Sequence, residues 1–284
     1  IVMIAAYMLP VVWLSVKQVG IPIPQAIYGF QLEKVTQKER ELSQDPKELE
    51  VRAIFQARAQ ELTRKLDNPI AALAQDKALA TQKSADLKGG HAADSDIVAA
   101  DKALYGLPKD EAAARRVWTA ARAEAEIKSR PLNGMSPHAQ QFAGDPNGSE
   151  AEQKEYDVSR RNFLALVFCL MVGTAALPHI LIRYYTTPSV KEARESVTWS
   201  LLFVFLLYFT APALAVLVKF EVFHSLVGTS FDQLPAWMLA WSKVDPALLS
   251  VVDVNHDNIL QLNELTLDGD IIMLAMPEIA GLPY

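Results

Sequence analysis

The stretch Phe163-Leu-Ala-Leu-Val-Phe-Cys-Leu-Met-Val-Gly173-Thr-Ala-Ala-Leu-Pro178-His179-Ile-Leu-Ile-Arg183 decides what kind of protein this is. From Phe163 to Ile182 it runs 20 residues with His179 as its one titratable side chain besides Cys169, and it is flanked by Arg160, Arg161 and Arg183. About 20 apolar residues at 1.5 Å rise cross a hydrocarbon core of roughly 30 Å. Buried helices of soluble enzymes rarely stay uncharged that long, so residues 162–183 read as a transmembrane helix. Pro178 interrupts it: with no N–H, and a ring that clashes with the Thr174 carbonyl, it kinks or breaks the helix. A break frees backbone groups at membrane depth, where they are tolerated only inside protein or lining a polar cavity. Secondary transporters hold solute and ions at such breaks, against the partial charges of half-helix ends. The alternative is a packing kink whose freed groups neighbouring helices satisfy.

Two more apolar stretches frame this one. Residues 1–16 are uncharged and stop at Lys17, with neither a charged leader region nor an A-x-A cleavage site, so they are not a signal peptide. With Ile at position 1, they read as a transmembrane helix truncated at its start, and the chain as an internal piece of a longer membrane protein. Residues 197–218 give 22 uncharged positions between Arg194 and Lys219. The connection 184–196, beside Arg183 and carrying Lys191 and Arg194, is short enough for the positive-inside rule and is expected to be cytoplasmic. Residues 17–161 and 219–284 then lie on the extracytoplasmic side.

The mean hydropathy of +0.11 averages these spans with very polar segments. Within 17–161, the part from Glu33 to Arg161 holds 21 Lys and Arg against 22 Asp and Glu, is rich in alanine and shows no strand-like alternation. Asp45-Pro46, Asn68-Pro69 and Asp110 mark three helix starts, each a capping side chain at or next to a first-turn position. Residues 219–284 are acidic, with two basic residues against nine acidic ones. The net charge of the chain, 27 − 33 = −6, lacks the basic footprint of a nucleic-acid binder. The single cysteine, Cys169, supports neither a disulfide framework nor a cysteine metal site.

Several residues could carry chemistry. His179 is a polar group at membrane depth, either a proton-handling residue or an interface residue near a helix end. Thr174 can offer its hydroxyl to a solute or bond back to its own helix. In the third span, Tyr208, Thr210 and Pro212 suggest packing and gating, with a bend at Pro212. In the acidic segment, Asp253-Val-Asn255-His-Asp257-Asn258-Ile259-Leu-Gln261-Leu-Asn-Glu264 has the spacing of a calcium loop. Its ligand positions are Asp253, Asn255, Asp257, the Ile259 carbonyl, Gln261 and Glu264, an oxygen set suited to a hard cation. Asn258 stands where such loops take glycine, and asparagine tolerates the left-handed backbone better than most residues. A plain acidic turn is the competing reading.

Taken together, these stretches resemble the sodium:solute symporter family, in its cation/acetate (monocarboxylate) branch. The similar text is Leu9-Pro-Val-Val-Trp13-Leu-Ser-Val-Lys17, Pro22-Ile-Pro-Gln25-Ala-Ile-Tyr28-Gly29, the Gly173 to Arg183 string, Tyr185-Thr-Thr-Pro188-Ser-Val, Ala193-Arg194, Ala211-Pro212-Ala213 and Pro277-Glu278-Ile-Ala-Gly281-Leu-Pro283. Gly-x-x-x-x-Pro-His-x-x-x-Arg is its most specific part. The resemblance implies an all-α membrane protein, a fragment of an inverted-repeat (5+5) secondary transporter carrying a helical extramembrane insertion. It implies sodium-coupled symport of a small monocarboxylate such as acetate across a bacterial cytoplasmic membrane. Gly173, Thr174, Pro178 and His179 would then line the substrate site and Arg183 its cytoplasmic gate, with the sodium ligands on helices outside this chain.

A different class of function also fits the sequence: a membrane-anchored calcium-binding or scaffolding protein whose polar segments do the work. An enzyme is not expected, because no nucleophile–base–acid string, phosphate loop or His/Cys metal cluster is evident.

Overall fold

The computed structural model describes residues 2–90, 93–175, 182, 186 and 188–282. Eight helices carry most of this length: α1 (Val2–Val19), α2 (Pro24–Gln44), α3 (Pro46–Asp67), α4 (Pro69–Gly89), α5 (Asp94–Tyr105), α6 (Glu111–Lys128), α7 (Glu150–Ala175) and α8 (Val190–Glu221). Local capping explains three of the starts. Asp45 accepts the Lys47 amide at 2.8 Å ahead of Pro46, Asn68 accepts the Ala71 amide at 3.4 Å ahead of Pro69, and Asp110 accepts the Ala113 amide at 2.7 Å. These are the starts the sequence signals. The fourth helix of the insertion, α5, begins behind Ala93 with no capping side chain, so nothing local announced it. Asp110→Ala should cost about 1 kcal/mol of stability, read as a shift of the denaturation midpoint at constant m value.

Within the insertion α3 packs on α6. Val51, Phe55 and Ala59 close on Ala125, and Leu62 meets Leu73 of α4 together with Ala114 and Trp118. The main core lies elsewhere, at the far end of α8. The first two-thirds of α8 shows its apolar residues outward (Trp199, Leu201, Phe205, Tyr208), whereas Ala213, Leu214, Val216, Leu217 and Val218 are buried. Leu214, Val216, Leu217 and Val218 join Val11 and Leu14 of α1, Val35 and Leu42 of α2, and apolar residues from Val222 onward. The π-helical turn Val222–Leu226 continues α8. Among the described residues, Val190–Leu226 is the one helix long and apolar enough to cross a membrane. The apolar part of α7 is exposed as well, from Phe163 through Val172. Outward-facing apolar surface of this extent is what lipid or further helices would cover.

Pro212 sits inside α8 and the helix continues on both sides of it. Thr210, two residues earlier and fully buried, donates to the Leu206 carbonyl at 2.7 Å and accepts from Gln25 Nε2 of α2 at 2.7 Å. Its hydroxyl is therefore a packing group, as expected.

The segment after α8 corrects the purely helical expectation. After α9 (Ala236–Val244), the strand β1 (Leu249–Val251) pairs antiparallel with β2 (Leu265–Leu267), Leu249 opposite Leu267 and Val251 opposite Leu265. α10 (Gly269–Leu274) and α11 (Met276–Ala280) follow. Alternation sends Leu249 and Leu265 into the core, which is the physical reason this pair forms. α11 then packs on α1. Both ends of the described chain thus close over the buried end of α8.

Candidate functional site

The residues expected to line a substrate site begin at the end of α7. Gly173 is exposed there, and among the described residues nothing outside the backbone of its own helix lies within 4 Å of where a Cβ would stand. Thr174 continues the helical backbone, and α7 is unbroken as far as Ala175. Pro178, His179 and Arg183, with the expected break, lie outside the described residues. The structure therefore gives Gly173 an open position on a continuous apolar helix and brings no other described group to it.

The acidic loop is fully described and tightly organised. Asn258 has φ 59°, the left-handed conformation that the loop needs where glycine was expected. Its amide donates to Asp253 Oδ2 at 3.0 Å, and the Ile259 amide donates to Asp257 Oδ1 at 2.9 Å. Leu260 is buried and fixes the loop to the chain after α8, donating to the Thr229 carbonyl at 2.9 Å and accepting from the Gly228 amide at 2.8 Å. The carboxylates themselves point to different partners. Asp257 Oδ2 meets the Lys47 ammonium of α3 at 2.7 Å, while Glu264 accepts the amides of Val254 at 2.6 Å and Gln261 at 3.1 Å. Burial raises the Glu264 carboxyl above the usual carboxylate range despite those amides. For Asp257, burial acts upward, but the Lys47 hydrogen bond and the Ile259 amide outweigh it and hold the group low. Among the described residues, no three His, Cys, Asp or Glu side chains are arranged to hold a metal.

Two buried carboxylates that sequence reasoning missed tie the insertion to the rest. Glu48, in the first turn of α3, accepts the backbone amides of Leu262 and Asn263 at the end of the loop. Burial pushes its carboxyl up to about 7, against the pull of those amides. A raised folded-state value means that the stability Glu48 contributes is full below pH 4.5 and is lost as pH rises through about 7. Glu48→Gln should flatten that part of the stability–pH curve, and parallel slopes for both proteins between these values would contradict the assignment. Glu39 of α2 accepts Lys219 Nζ at 2.6 Å and the His138 amide at 2.9 and 3.1 Å. Burial and the Lys219 charge lower the His138 imidazole, although Glu39 acts the other way. A helix's first turn can hint at Glu48; nothing local hints at Glu39.

His138 and Lys219 border a cavity of about 800 Å³ between the ends of α6 and α8 and the β-hairpin, lined also by Lys128, Phe223, Leu265 and Thr266 among others. Both ammonium groups are already paired, Lys219 with Glu39 and Lys128 with Glu124 at 3.2 Å. The cavity is mostly apolar, and its charges are compensated.

No family model matches the chain, and no solved structure matches it. Over its whole length the chain is similar to a symporter. That relative is an uncharacterized symporter of Cupriavidus necator, 42% identical over 285 residues that cover 100% of this chain and 40% of the relative. A shorter match, 51% identical over 43 residues, links 15% of the chain to 8% of a monocarboxylic acid transporter of Corynebacterium glutamicum. The chain thus spans 40% of the symporter's length.

Proposed function

We propose that this chain forms part of a multi-pass bacterial membrane symporter that moves a small monocarboxylate such as acetate together with sodium ions. The observation that carries this reading is the end-to-end likeness to a symporter at 42% identity, insertion and acidic segment included. The local likeness to a monocarboxylic acid transporter supports the substrate class. The exposed apolar faces of α7 and α8 fit helices that await lipid or further spans.

In this proposal an inverted-repeat arrangement encloses the substrate against a break near Pro178. Gly173 lets the carboxylate approach the main chain, Thr174 and the freed amides donate hydrogen bonds, and His179 adds a polar group at the same depth. Arg183 stands at the cytoplasmic mouth, and sodium is held by oxygen ligands from outside this chain. The calcium-scaffold reading has nothing comparable behind it.

Substrate class is tested by competition. In vesicles containing the complete transporter, uptake of labelled acetate should be inhibited by unlabelled propionate and unaffected by succinate or alanine. Equal inhibition by all three would overturn the monocarboxylate assignment.

A further inference from the structure

We propose that the cavity between the ends of α6 and α8 and the β-hairpin binds a single-chain anionic amphiphile of the fatty-carboxylate kind. Its volume of about 800 Å³ lies within the range of roughly 300–1,000 Å³ usual for ligand pockets. Three separate parts of the chain supply the walls: Ile127 and Lys128 of α6, Val218, Lys219 and Phe223 at the end of α8, and Thr266 of β2. An occupant therefore touches the insertion, the long apolar helix and the acidic segment at once.

The polar part of the wall is rich in donors. Lys219 meets Glu39 at 2.6 Å and Lys128 meets Glu124 at 3.2 Å. An ammonium carries three donors, so these pairs compensate the charges without using up the hydrogen bonds. Thr266 adds a hydroxyl that is buried and has no partner among the described residues. It stands opposite Ser250 in the β1–β2 register, and both residues line the cavity. A buried hydroxyl without a partner is costly, and an acceptor entering the cavity relieves it once the side chain turns about χ1. A carboxylate is such an acceptor.

Of the two ion pairs, Lys128–Glu124 is the one a ligand opens. The Lys128 side chain is 9% exposed and that of Glu124 66%, so Glu124 can turn into water while the ammonium stays at the wall. A pair with one partner so exposed holds weakly. Lys219 and Glu39, both largely buried, stay together. The ligand carboxylate then replaces Glu124 beside Lys128, and its hydrocarbon tail lies on Val218, Val222 and Phe223. A pocket of this size encloses one such chain, whereas a two-chain phospholipid exceeds it.

The place in the fold fits the same ligand. Val218 ends the uncharged run of α8 and Lys219 is the first charge after it, so head and tail of an amphiphile find polar and apolar wall side by side. Arrival of the ligand from the bilayer rests on the membrane reading proposed above; binding rests on the cavity alone.

The test is photolabelling of the complete, detergent-solubilised transporter with decanoic acid carrying a diazirine at its chain end, followed by mapping of the labelled residues. Label should concentrate between Ala215 and Phe223 and between Leu262 and Ile272. Unlabelled decanoate should suppress it, while decanol and dioleoylphosphatidylglycerol at the same concentration should not. Glu124→Gln, at an exposed side chain, should lower the decanoate concentration that halves the labelling about two- to fivefold by removing the competing carboxylate. Lys128→Met should raise it about tenfold or more, as expected for loss of a charged hydrogen bond. Label spread evenly along α7 and α8, equal suppression by decanol or the phospholipid, or a Glu124→Gln protein with unchanged or weaker affinity would each overturn the proposal. Labelling reads binding and not transport, so its failure would leave the transport proposal standing.

Discussion

Replacing Gly173 with leucine in the complete transporter should reduce carboxylate uptake on the order of a hundredfold while leaving the melting temperature nearly unchanged. The two halves of this expectation have separate causes. Within the described chain, a Cβ at Gly173 would have no neighbour within 4 Å outside the backbone of its own helix, and the position is exposed, so leucine is expected to strain little packing there. Glycine is also a poor helix former, and replacing it inside α7 favours the helix by up to about 1 kcal/mol. Loss of uptake would therefore report on what approaches this position in the assembled transporter. In the proposed site that is a carboxylate needing close access to main-chain donors, and a misplacement of about 1 Å is enough to remove most of the rate. Gly173→Ala should retain most of the activity. Wild-type uptake by the leucine variant would show that the solute passes elsewhere.

The second large effect is on stability. Lys219 is the first charge after the apolar run of α8, and its ammonium is drawn into contact with Glu39 of α2, the two side chains being only 13% and 3% exposed. Glu39 also accepts the His138 amide, so it fastens α2, α8 and the segment between α6 and α7 at one point. A buried pair adds little over an apolar replacement, but removing one partner strands the other charge, which costs about 3–5 kcal/mol. Glu39→Leu should therefore destabilise the protein by that amount, as should Lys219→Met. The double substitution should recover most of the loss, short of the hydrogen bonds to His138. Single variants within about 0.5 kcal/mol of wild type would mean that water reaches these groups.

The helix starts were legible in the sequence because a capping side chain acts within one turn: Asp45, Asn68 and Asp110 all do in the structure what their positions imply. α5 escaped because Ala93 offers no such signal. The β1–β2 pair escaped because three-residue strands separated by the loop carry no measurable alternation, and their pairing depends on the core that Leu249 and Leu265 enter. The loop backbone was legible down to the left-handed turn at Asn258, since asparagine is the next choice after glycine there. Its charge partners were not. Lys47 and Asp257 are 210 residues apart and Glu39 and Lys219 180 apart, and only the folded chain brings them together. Of the expected substrate-site residues, Gly173 and the Thr174 backbone are described, and the sequence remains the basis for Pro178, His179 and Arg183.

The central claim is coupled transport, and ion-dependent uptake measures it directly. The complete transporter, reconstituted into liposomes free of other carriers, should accumulate labelled acetate when an inward sodium gradient is imposed. Accumulation should collapse when sodium is equilibrated across the bilayer or replaced by potassium. Acetate uptake that is the same with either cation, or no uptake at all under the sodium gradient, would contradict the account.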